Sequence, residues 1–157
     1  MSVTVTIDIG SVVSDIKVKS FMNTERIADP AQRYAVRASE ENEAETRQGL
    51  QHAWNALRAL CRKFLSRTAD TAGDSDLWNS FTGDRTLVFD ITARRTSHFA
   101  EPFAEAAHEF LVAGTLRRFY TSVAMGDLAT AYSAEERAAA ERITAIIYRK
   151  DEPIYTS

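Results

Sequence analysis

The stretch LQHAWNALRALCRKFL, Leu50 to Leu65, decides the fold class. Leu50, Ala53, Trp54, Leu57, Leu60, Cys61, Phe64 and Leu65 recur at steps of three and four, so a helix gathers them on one face for burial. The flanks agree. Ser39 offers an N-cap, Glu40, Glu41, Glu43 and Glu45 crowd the start, and Arg58, Arg62, Lys63 and Arg67 crowd the end. Acids first and bases last complement the helix dipole, each contributing about 0.3–1 kcal/mol. The spacing predicts a helix over 39–67.

Working outward, Val3, Val5, Ile7 and Ile9 alternate with Thr4, Thr6 and Asp8, which predicts a strand over 3–9 ended by Gly10. Val12, Val13 and Ile16 then stand at helical spacing after Ser11, and a short helix is expected within 11–27. Asp29-Pro30 reads as a turn, since the residue before proline is pushed out of the helical region. Thr68 to Arg85 is rich in Thr, Asp, Ser and Gly and reads as a loop. Leu87, Phe89 and Ile91 predict a second strand over 86–92, which should pair with the first or pack on helices. Pro102 is tolerated only in a first turn, so a long helix should open near His98–Glu101 and run over 98–125, with Gly126 as its C-terminal cap. Its small residues Ala106, Ala113 and Gly114 invite close approach of another helix. Ser133-Ala134-Glu135-Glu136 has the form of a capping box and opens a last helix over 133–150. Pro153 stops it before a short extended tail.

Composition sets the class. With 157 residues, 45% hydrophobic and 26% charged, the chain fits one globular domain, 1–157, able to bury a core unaided. A net charge of −3 gives no global basic field, so neither specific nucleic acid nor an anionic membrane is an expected partner. No run approaches the roughly 18 apolar residues that span a bilayer. The N-terminus has no basic region followed by an apolar one, so no signal peptide is expected and the protein reads as cytoplasmic. Cys61, the only cysteine, lies on an apolar face and reads as a buried structural thiol.

Three patterns bear on chemistry. Thr6-Ile7-Asp8-Ile9-Gly10-Ser11 looks like the first phosphate turn of actin-like and sugar-kinase ATPases, which also need two lobes and a second Asp-Gly turn that 157 residues do not supply. Glu105-Ala106-Ala107-His108 is a Glu-x-x-His unit of the kind used by di-iron carboxylate bundles, which require two. Gly49 stands three before His52 and Arg95 three before His98, so the second half-site is missing. The three histidines also lack the His-x-x-x-His pair that a DinB-type metal site would want. No catalytic residue, metal ligand or cofactor is therefore assigned. Trp78, Phe81, Ile154 and Tyr155 are large apolar residues in polar contexts, and they are the candidate partner-binding residues.

Ala107-His108-Glu109-Phe110-Leu111-Val112, Leu116-Arg117-Arg118-Phe119-Tyr120 and the Ser133 helix ending Tyr148-Arg149-Lys150-Asp151 carry one further resemblance. Over about residues 99–155 this layout resembles small helical proteins encoded near head and tail genes of tailed phages and Bacteroidetes prophages. The resemblance implies a helical bundle whose extended segments reach neighbouring subunits, and a virion-associated location. The expected fold is mainly α: an antiparallel three- to four-helix bundle with a small two-stranded accessory β ribbon. The expected function is that of a non-enzymatic structural or assembly protein working through protein partners or self-association. The alternative is a metal-binding or enzymatic bundle using Glu105, His108 and His52.

Overall fold

The computed structural model describes residues 2–38, 42–66, 84–91 and 99–148. The protein is mainly helical: among the described residues, five helices accompany two strands, in the order β1 (Ser2–Asp8), α1 (Ile9–Thr24), α2 (Pro30–Ala35), α3 (Glu43–Cys61), β2 (Asp84–Asp90), α4 (Ala100–Ser122) and α5 (Gly126–Ile147).

The two strands pair with each other, antiparallel, with Val5 opposite Leu87 and Val3 opposite Phe89. Period two then puts Val5, Ile7, Leu87 and Phe89 on one buried face and Thr4, Thr6 and Thr86 outside. The far edge of β2 is occupied by the chain leaving α3. Ser66 N–H donates to Val88 O at 2.8 Å, and Asp90 N–H donates to Phe64 O at 2.8 Å. Among the described residues no strand pairs with the outer edge of β1.

The first strand begins and ends one residue earlier than its alternation suggests. Asp8 Oδ1 accepts the Ser11 N–H at 3.1 Å, so Asp8 caps α1 and Ile9 and Gly10 already belong to the helix. Ser11 is therefore not the cap, and Gly10 does not end the strand. A carboxylate three residues ahead of an orphan N–H competes successfully with one more rung of a two-stranded ladder. The turn at Asp29-Pro30 is also a helix start. Asp29 Oδ1 accepts the Ala31 N–H at 3.0 Å, and Pro30 takes the first position of α2, where its missing N–H costs nothing. Beyond α2, Ala38 N–H donates to the Ser20 hydroxyl at 2.7 Å and Arg37 Nε donates to Thr24 Oγ1 at 2.7 Å. These bonds give partners to two buried polar side chains on α1.

Helix α3 buries Leu50, Ala53, Trp54, Leu57 and Cys61 as the spacing predicts, but it ends at Cys61. Leu60 lies at the margin of that face and is 39% exposed. Phe64 and Leu65 leave the helix for the edge of β2, so they are not part of its stripe. Ser39, Glu40, Glu41 and Arg67 fall outside the described residues. Glu43 and Glu45 do occupy the first turn.

Helix α4 is the centre of the molecule, packed by α3, α5, α1 and β1. Its Phe103 ring meets Phe89 at 4.8 Å and Phe99 at 5.4 Å. A Cβ on Gly114 would lie 3.3 Å from Ala53 Cβ of α3, the close approach its small residues foretell. Contacts at Glu45–Ser122 and Ala53–Gly114 run α3 antiparallel to α4, while Asp15–His108 and Asn23–Tyr120 run α1 parallel to it.

The last connection differs from expectation. Met125 N–H donates to Tyr120 O at 2.9 Å and Ala124 N–H to Thr121 O at 3.3 Å, with Ala124 at φ 60. This is a Schellman turn built on alanine in the left-handed position rather than on Gly126. The chain reverses in three residues, and Gly126 already opens α5. Ser133-Ala134-Glu135-Glu136 therefore lies inside a helix and caps nothing. Glu136 instead accepts from Arg117 Nε at 2.6 Å, joining α5 to α4.

Candidate functional site

The Thr6–Ser11 turn and the Glu105-x-x-His108 unit, a hundred residues apart in sequence, meet in one place. The cap of α1 at the end of β1 brings Thr6, Asp8 and Ser11 to one wall. Three side chains one helical turn apart on α4, namely Glu105, His108 and Glu109, form the other. Between them lies an open cleft of about 570 Å³. His108 Nε2 lies 2.5 Å from Asp15 Oδ2, so the ring N–H donates to a carboxylate one turn beyond Ser11 on α1. The side chains of this pair are 27% and 52% exposed, so water screens it and it contributes about 0–1 kcal/mol.

The chemistry available in the cleft is narrow. Asp8 is engaged with the Ser11 N–H, and Glu109 is paired with Arg142 of α5. Among the described residues no lysine or arginine lines the cleft. Phosphate would meet carboxylates there, and the Ser11 N–H that an ATPase-like turn would offer it is already taken. His52 is exposed on α3 and does not line the cleft, so the Glu105, His108 and His52 set does not share it. Among the described residues no group of three or more His, Cys, Asp or Glu is arranged to hold a metal ion. Cys61 is fully buried, and burial pushes its thiol from 9.0 up to about 12. A thiol held protonated in this way is not a nucleophile near neutral pH.

The four residues expected to bind a partner, Trp78, Phe81, Ile154 and Tyr155, lie outside the described residues, as does His98. The structure does display a different apolar surface. Val18 is 53% exposed, Phe21 43% and Met22 65%, and all three stand on the outer face of α1. Their spacing, i, i+3 and i+4, makes them one contiguous patch. Arg37 lies over the Phe21 ring at 4.3 Å and gives the patch a cationic margin. Ile9, Val12, Val13 and Ile16 fill the opposite, buried face. The signal is present in the sequence as two apolar stripes on one short helix. It is missed when 11–27 is read for its inner stripe alone.

No helix of the described residues is long and apolar enough to cross a membrane. Comparison with protein-family models, with curated proteins and with solved structures finds no match.

Proposed function

We propose that this chain is a non-enzymatic assembly protein that associates with other protein chains through the outer face of α1. The observation that carries the reading is the exposed Val18, Phe21 and Met22 patch. Large apolar side chains grouped at helical spacing, rather than scattered, are characteristic of surfaces that bind protein. The cleft beneath Thr6 and His108 offers no comparable support for catalysis. One of its carboxylates serves as a helix cap, another is ion-paired, and its histidine is tied to Asp15. The layout resemblance over 99–155 supports the same class of role, that of a head- or tail-associated component of a tailed phage.

We also read α3, α4 and α5 as an antiparallel bundle forming the rigid body that presents α1. The support is pairwise: α3 against α4 through Gly114, and α4 against α5 through Arg117–Glu136. The glutamate and two histidines of the metal-binding alternative do not share a cleft, and that reading gains no observation in its favour.

The test is association. Sedimentation of the native chain across a concentration series should show self-association that the Val18→Ser, Phe21→Ser, Met22→Ser triple variant loses while keeping its helical circular dichroism. A native chain that stays monomeric at every concentration, with amide exchange on α1 independent of concentration, overturns the proposal.

A further inference from the structure

A second surface, independent of α1 and of the cleft, lies in the groove between α4 and α5. Arg117 and Thr121 approach it from α4. Thr130, Ser133 and Arg137 line it from α5, at i, i+3 and i+7 on one helical face. The groove is open, with a volume of about 390 Å³, and among the described residues no carboxylate lines it. Two arginines therefore line a space whose lining holds no acid among the described residues, the Glu136 carboxylate being bound to Arg117.

The donors differ in availability. Thr121 and Thr130 give their hydroxyl protons to the carbonyls of Arg117 and Gly126, one turn back in their own helices. Neither can donate to a ligand without breaking that bond. Ser133 Oγ and the Arg137 guanidinium make no hydrogen bond or ion pair among the described residues. Arg117 is held from behind: Glu136 accepts from its Nε at 2.6 Å and its Nη2 at 3.4 Å. That grip fixes the guanidinium plane and leaves its remaining N–H donors free. A donor already ordered by the fold loses little entropy when it binds. Arg118, next along α4, is turned to its own helix and donates to Gly114 O at 3.1 Å. Burial, and next the charge on Arg117, hold Arg118 below its ordinary value, and Glu136 acts in the opposite direction.

We propose that this groove binds an oxyanion of the phosphate class, with Arg117 and Arg137 as its charged ligands and the Ser133 hydroxyl as a neutral donor. Arginine suits the role because its planar fork matches the oxygens of phosphate and carries charge at every physiological pH. The volume admits a phosphate group with a small organic substituent, so the shared chemistry is that of inorganic phosphate or a phosphate monoester.

The test is a titration of the isotopically labelled full chain with sodium phosphate at constant ionic strength, followed by amide chemical shifts. Saturable shifts should centre on residues 117–121 and 130–137, and sodium chloride should not reproduce them. Arg137→Gln, an exposed position, should weaken binding about tenfold or more, because a charge-assisted donor is lost. Ser133→Ala should weaken it less. Arg142→Gln, whose side chain pairs with Glu109 instead, should leave affinity unchanged. A parallel titration with phosphoserine separates the sources: tighter binding than inorganic phosphate assigns the groove to an ester, and weaker binding to the free ion. Absence of saturation, affinity retained in Arg137→Gln, or an equal loss in Arg142→Gln overturns the site.

Discussion

Helices α1 and α4 carry the same kind of pattern, with apolar residues around most of the circumference, and they meet different fates. On α4 the apolar sides find cover, and the strip of Glu101, Glu105 and Glu109 stays exposed among them. Phe103, Ala107 and Leu111 are buried, and so are Val112, Ala113 and Leu116, which point elsewhere around the helix. On α1 one side is buried through Ile9, Val12, Val13 and Ile16, while Val18, Phe21 and Met22 face outward. A helix apolar all round belongs in a core or against something that completes one. For α4 the completion is internal, since α3, α5, α1 and β1 surround it. For α1 the described residues supply only half of it, and for that reason its outer face carries the functional reading.

The comparison can be broken at either end. The largest effect belongs to α4: Phe103→Ala should cost about 3–5 kcal/mol of unfolding free energy, because it empties a fully buried site among aromatic rings. Urea denaturation measures it, and a loss below about 1 kcal/mol would show that α4 is not the centre of the core.

An intermediate effect is alkaline and also belongs to the interior. Burial raises Tyr120 of α4 from 10.0 to about 12; its hydrogen bond from Asn23 works in the opposite direction, and the Tyr132 charge adds to the rise. Cys61 of α3 rises from 9.0 to about 12 through burial. Between those limits the unfolded chain has released protons that the folded chain retains, so stability falls as pH rises. Thermal melts should be flat below about 9 in this respect and decline from there toward 12. Tyr120→Phe should shrink the decline above 10. Val18, Phe21 and Met22 on the outer face of α1 carry no titratable group, so variants at these three positions should leave this limb unchanged.

The smallest effects belong to the outer face of α1. Phe21→Ser should cost about 0.5–1 kcal/mol, chiefly through the lost contact with Arg37. Met22→Ser should change stability by less than about 0.5 kcal/mol, since its side chain already faces solvent. Losses of core size at these positions would mean that the face is covered within one chain, and the contrast with α4 would disappear.

Local pattern was sufficient where burial on one side and the helical or strand period coincide. Leu50, Ala53, Trp54 and Leu57 announced α3, Val5 and Ile7 announced β1, and Pro102 marked the opening turn of α4. Boundaries were harder, because they are contests between neighbouring hydrogen-bond partners. Asp8 ended β1 by capping α1, and a left-handed Ala124 did the work expected of Gly126, so the Ser133 capping box never met a helix start. A short motif states what a residue can bond to, and the tertiary structure states what is within reach.

The sequence by itself determined a mainly helical chain, the presence of two strands and the burial of Cys61, because each follows from periodicity and side-chain type alone. Only the tertiary structure decided which apolar stripe is core and which is surface. It alone set Thr6, Asp8 and Ser11 beside Glu105 and His108, and Arg117 beside Arg137. Those outcomes depend on which helices pack together and in what direction. Packing of that kind sums many weak contacts between residues far apart in the chain, and no local spacing encodes it.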